Sequence, residues 1–144
     1  MIEIDVTGFV AWLRQAESEM QANAKQALGQ SVALALRNAR ATQAFKDHTG
    51  KLRSSIVRGE RRQWVQFITA KAKYAAYVEH GTPPHRIEPR KAKALRFVAA
   101  GGVRFSRGVN HPGTKATNFL ERAAHAAADP FASMLERAAA AAFR

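Results

Sequence analysis

"YAAYVEHGTPPHRIEPRKAKALRF", residues 74–97, decides how the chain is divided. Tyr74, Tyr77 and Val78 recur at helical spacing, and Gly81 is a C-terminal stop, because glycine enters the left-handed conformation at little cost. Pro83, Pro84 and Pro89 then forbid regular structure, and five of the next residues are basic. The helix ends at Gly81, and residues 82–93 form a loop that cannot bury itself. Loops of that kind order when a partner arrives, so 83–93 is expected to be mobile in an isolated subunit and ordered in an assembly.

Upstream, residues 9–45 hold no proline and one glycine, Gly29. Leu13, Ala16, Met20, Ala24, Ala27, Leu28, Val32, Leu36 and Ala39 recur every three to four positions, which predicts a long amphipathic helix. Asp5 or Thr7 is its expected cap. At 1.5 Å per residue such a helix spans about 50 Å, more than a compact domain of this size needs. It either bends around its own sheet or carries a stripe that another subunit covers.

"HTGKLRSSIVRGERRQWVQFITA" holds two β-prone runs, 52–57 and 64–69, around Gly59, and predicts a hairpin. In "ALRFVAAGGVRFSRGV" Leu95, Phe97, Val103 and Phe105 alternate with Arg96, Arg104 and Arg107. That pattern predicts a second hairpin with one wet face, turning at Gly101 and Gly102. Asn118 and Glu121 have capping-box spacing for a helix through Ala128, and Asp129-Pro130 starts a last one. Trp64, Phe67, Tyr74, Tyr77, Phe97 and Phe105 are expected in the core. The expected fold is α+β: a long N-terminal helix, an antiparallel sheet of two hairpins, a short central helix and C-terminal helices. One domain suffices for 144 residues, divided as 1–45, 46–115 and 116–144.

Charge marks those divisions. The formal net charge is +12, and residues 46–115 contain 16 Lys and Arg against Asp47, Glu60, Glu79 and Glu88, while the flanks are neutral. A clustered surplus presents a surface to a polyanion, since each cation can neutralise a phosphate and release a counterion. Arg86, Arg90, Lys91, Lys93, Arg96, Arg104 and Arg107 are the candidates for that surface. No helix-turn-helix, zinc-finger or ribonucleoprotein pattern accompanies them, so base-specific readout is not expected.

Catalytic patterns are missing. The absence of cysteine excludes thiolate sites and disulfides. His80, His85, His111 and Glu79 match no zinc spacing, so no metal and no cofactor are expected. Ser54 and Ser55 after His48 lack an elbow, "TGKLRSS" lacks the first glycine of a phosphate loop, and the central acids are too spread for acid-base work. The start "MIEIDVTGFV" is acidic where a signal peptide is basic, and no apolar run reaches the roughly 18 residues of a membrane span. A soluble non-enzyme without a membrane partner or small-molecule substrate is the expectation.

"DHTGKLRSSI", "YAAYVEHGT" and "VNHPGTKATNFLERA", in that order between two helices, resemble the tail-completion or neck proteins of long-tailed, lambdoid-type bacteriophages, minor tail components related to lambda tail protein Z. The similarity covers residues 47–123. Its marked positions fall on Gly50, Leu52, Glu79, Gly81, Thr82, Pro112, Gly113, Phe119, Leu120 and Ala123, with Asn118 where members often have proline. The resemblance implies a structural virion protein at the head-tail junction, present in the host cytoplasm during assembly. It implies a homo-oligomeric ring between the tail terminator or tail tube and the head connector, with DNA passing through its lumen. It carries over no catalytic residue. The alternative, from charge alone, is a nonspecific nucleic-acid-binding protein of a phage or prophage.

Overall fold

The computed structural model describes residues 6–59, 62–99 and 101–143. Its elements are α1 (Thr7–Ala41), α2 (Lys51–Ser55), β1 (Ile56–Arg58), β2 (Ile68–Ala70), α3 (Ala75–His80), β3 (His85–Ile87), β4 (Leu95–Ala99), β5 (Gly102–Ser106), β6 (Val109–His111), α4 (Phe119–His125) and α5 (Ala128–Ala142). The fold is α+β. Among the described residues no helix is long and apolar enough to cross a membrane. Contacts gather the chain into two units: the residues up to Ala72 with those from Phe119 onward, and Lys73–Asn118 between them. These limits differ from the charge boundaries at 46 and 115, because the first hairpin pairs with the helices while the rest of the basic segment folds by itself.

The first unit is built on α1, which runs 35 residues without a break at Gly29. A mid-helix glycine costs about 1 kcal/mol relative to alanine, which packing along the C-terminal half offsets. There Ala27, Val32, Ala35 and Ala39 are buried. Towards the start only Ala16 is buried, and Phe9, Trp12, Leu13 and Met20 remain exposed. The stripe expected from sequence is therefore covered over one half only. The helix is preceded by Val6, with no side-chain cap; of the two expected caps, Thr7 is its first residue and Asp5 lies outside the described residues.

Helix α5 runs antiparallel to α1: the Ser31 hydroxyl donates to the Ala127 carbonyl at 3.2 Å, and Trp12 meets Phe143 edge-on at 6.2 Å. Ala138 and Ala142 are buried on it and Ala127 just before it, and small side chains permit close approach. Pro130 lies in its first turn, where the missing N–H has no partner to lose. The largest fully buried side chains are Phe119, Leu52 and Ile56. Phe119 packs edge-on to Phe45 at 4.9 Å.

Arginines tie this unit together through backbone. The Arg40 Nε and Nη2 both donate to the Ile56 carbonyl, at 3.0 and 2.6 Å. Arg53 donates to the carbonyls of Arg40 and, at 2.6 Å, Thr42, and lies 4.8 Å from the Phe45 ring. It thereby satisfies acceptors that the end of α1 leaves open. Residues 52–55 are helical, a correction to the strand expected over 52–57. Gly50 is left-handed at φ 70, Asp47 Oδ2 accepts the Arg53 amide at 2.8 Å, and the Ser54 amide reaches the Gly50 carbonyl, so one helical turn forms before the strand starts.

The strands make three separate two-stranded sheets, not one sheet of two hairpins. Strands β1 and β2 pair antiparallel, with Val57 opposite Thr69, and β4 and β5 pair with Phe97 opposite Arg104. Strands β3 and β6 pair across 21 intervening residues, with His85 opposite His111. The loop expected at 82–93 thus contains a strand, which its flanking prolines and three-residue length hide from pattern reading. In the second unit only Ala75 and Glu79 are buried, among the described residues. Two-stranded sheets are marginal in water alone, so this unit relies on backbone bonding and not on a core.

Candidate interaction surface

The second unit is closed by a clasp between the two motifs at its ends, "VEHGT" and "HPGTKATN". The Thr82 amide donates to the Thr114 carbonyl at 3.0 Å, the Thr114 amide donates back at 3.1 Å, and the two hydroxyls lie 3.1 Å apart. Val78 accepts both the amide and the hydroxyl of Thr117, at 3.2 and 2.8 Å. The Glu79 carbonyl accepts the amides of Thr117 and Asn118, at 3.1 and 3.0 Å. Gly81 and Gly113 sit side by side in this clasp, with φ of 73° and 85°. A Cβ on Gly81 would meet the backbone of Thr114 to Ala116 within 3.0 Å, and one on Gly113 would meet Thr82 and Pro83 equally closely. Both glycines are required twice over, by conformation and by contact.

Beside the clasp lies an open groove of about 710 Å³, lined by Tyr74, Tyr77, Val78, Pro83, His85, His111 and Lys115 among others. The two imidazole rings lie with centroids 5.1 Å apart, tilted by 33°. His85 Nδ1 faces the Pro83 carbonyl at 3.0 Å and so carries the proton there; His111 Nδ1 accepts the Gly113 amide at 3.0 Å. Among the described residues no three His, Cys, Asp or Glu side chains gather as a metal site would require.

The β4–β5 ribbon is the other exposed feature. Its register puts Arg96 opposite Phe105 and Val98 opposite Val103 on one face, with Phe97 opposite Arg104 on the other. The expected wet and dry faces do not exist. Ala99 pairs with Gly102, a register that sets odd positions against even ones, so Phe97 and Phe105 fall on opposite faces. Val98 and Phe105 are 78% and 69% exposed. The expected core aromatics Trp64, Phe67, Tyr74, Tyr77, Phe97 and Phe105 are all exposed. Trp64 and Phe67 precede β2 instead of lying within the strand expected over 64–69, and Phe97 and Phe105 are split between the two faces of the ribbon.

All seven basic candidates, Arg86, Arg90, Lys91, Lys93, Arg96, Arg104 and Arg107, are exposed in the second unit. Arg86 pairs with Glu88 at 2.8 Å. Lys73–Asn118 holds nine Lys and Arg against Glu79 and Glu88, and Glu79 is 8% exposed. Arg53 and Arg58, counted with the basic surface in sequence, are bonded to main-chain carbonyls of the first unit. The motif positions are structural. Gly50 starts α2, Leu52, Phe119 and Ala123 are buried and Leu120 is half-buried; Glu79, Gly81, Thr82 and Gly113 form the clasp, and Pro112 adjoins it. Asn118 has φ 47°, which proline cannot adopt and which is not the extended geometry of an N-cap.

No family model, no curated protein and no solved structure matches the chain.

Proposed function

We propose that the chain is a structural virion morphogenesis protein of a long-tailed bacteriophage, a tail-completion or neck component that forms a ring at the head-proximal end of the tail. Tail terminator or tail tube and head connector are its neighbours, and DNA crosses its lumen. The observation that carries this reading is the separation of roles between units. One unit is exposed, basic and without a core; the other holds the buried side chains and an uncovered apolar helix end. A DNA conduit needs a lining that does not repel phosphate and flanks that grip neighbours. The reading assigns no catalysis and no cofactor.

The Arg-bearing ribbon also favours a second reading, nonspecific nucleic-acid binding. Retention of the purified chain on duplex DNA across salt separates the two. Tight binding at physiological salt with a steep log-log slope supports the second; weak binding together with annular oligomers supports the neck protein.

A further inference from the structure

Two uncovered surfaces of this chain complement each other. The first is the start of α1, where Val6, Phe9, Val10 and Leu13 follow the i, i+3, i+4, i+7 spacing of a helix that anchors in a groove. All four are exposed, Phe9 at 59%. Trp12 stacks on Phe9 at 5.8 Å. In sequence, residues 1–24 carry Glu3, Asp5, Glu17 and Glu19 against the one basic side chain Arg14.

The second surface is the groove of the Lys73–Asn118 unit. Its volume, about 710 Å³, lies in the range of roughly 300–1,000 Å³ typical of sites that bury a ligand. Part of its polar lining is already engaged: the Thr82 and Thr114 hydroxyls with each other, the Thr117 hydroxyl with Val78, and both imidazole Nδ1 atoms with main chain. What faces an incoming group is mostly ring and methyl carbon, together with the Tyr74 and Tyr77 hydroxyls and Lys115, and residues 89–118 contain no acid. Such a groove fits an apolar helix with acidic flanks.

We infer that the first turns of α1 from one copy of the chain occupy this groove on the next copy. The inference rests on the ring reading above and names its contact. The two surfaces differ, so the contact is heterologous, and its repetition closes a ring if the rotation permits. The attraction between the acidic start and the basic unit steers encounter, and the apolar stripe supplies the buried area.

The chain contains no cysteine, which makes the test direct. A Phe9→Cys chain and a Tyr77→Cys chain, differing in mass by a tag, are mixed and mildly oxidised; both sites are exposed, so neither change removes core packing. The expected product is the mixed disulfide, at least tenfold above that formed by Phe9→Cys with an exposed Glu136→Cys control. Lys115→Glu in the Tyr77→Cys chain lowers that yield, and Glu17→Lys with Glu19→Lys in the Phe9→Cys chain restores it. A mixed yield equal to the control overturns the inference. So does protection of Tyr77→Cys from a thiol reagent by duplex DNA and not by unlabelled protein, which assigns the groove to nucleic acid. Light scattering in parallel separates the failures: oligomers without the mixed disulfide leave the ring standing and remove this contact, and a single-chain mass at every concentration removes this contact while the ring is tested with tail tubes.

Discussion

At the residue scale the chain is governed by a few positions whose chemistry is already spent on the fold. Gly81 and Gly113 hold positive φ against each other's neighbouring backbone. Alanine at either should cost about 1–3 kcal/mol from conformation alone, with steric displacement in addition. Hydrogen exchange should show faster exchange at the amides of Thr82, Thr114 and Thr117, while the amides of α1 keep their protection; uniform loss across both units would argue against a local clasp. Phe119 contrasts with Phe105. Phe119→Ala should destabilise by about 3–5 kcal/mol in denaturant unfolding, as a fully buried aromatic does. Phe105→Ala, at an exposed site, should stay within about 0.5 kcal/mol. Glycine and proline punctuation made Gly81 legible in the sequence. The service of Arg40 and Arg53 to main-chain carbonyls was not, because it depends on which distant segment lies beside them.

At the scale of elements, what the sequence reveals follows contact range. The long helix and the β4–β5 hairpin were readable because their signals are local: periodicity without proline, and β-prone runs about a glycine turn. The β3–β6 pair was not, since three residues between prolines carry no pattern and the partner lies far along the chain. Residues 52–55 were misread because a β-prone composition lost to the Asp47 and Gly50 turn that starts a helix. The groove was hidden for the same reason as β3–β6, being assembled from both ends of the unit. One consequence concerns α1. Gly29 has open space where a Cβ would go and no left-handed backbone, so Gly29→Ala should raise stability by about 0.5–1 kcal/mol. A rise in thermal midpoint checks this; a fall would show that the glycine serves a bend that the helix lacks here.

At the scale of the molecule, the distribution of charge and cover is what demands explanation. A net charge of +12 disfavours self-association unless the acids lie where the cations must land. Residues 1–24, net acidic in sequence, meet that condition, and Phe9, Trp12 and Leu13 among them are exposed. Charge reversal of Arg90, Lys91 and Lys93 to Glu should leave the fold intact, since all three are exposed, and should lower duplex DNA affinity while flattening its dependence on salt. Filter retention at several salt concentrations reads both effects. An unchanged slope would place the DNA-facing cations elsewhere.

The claim on which the account turns is that the chain assembles into a collar that DNA traverses. Electron microscopy of the purified protein, alone at high concentration and mixed with tail tubes, tests it most directly. The account predicts closed annuli and extra density at one end of each tube. Isolated single chains under both conditions, with tube ends bare and the protein instead coating added duplex DNA, would contradict it.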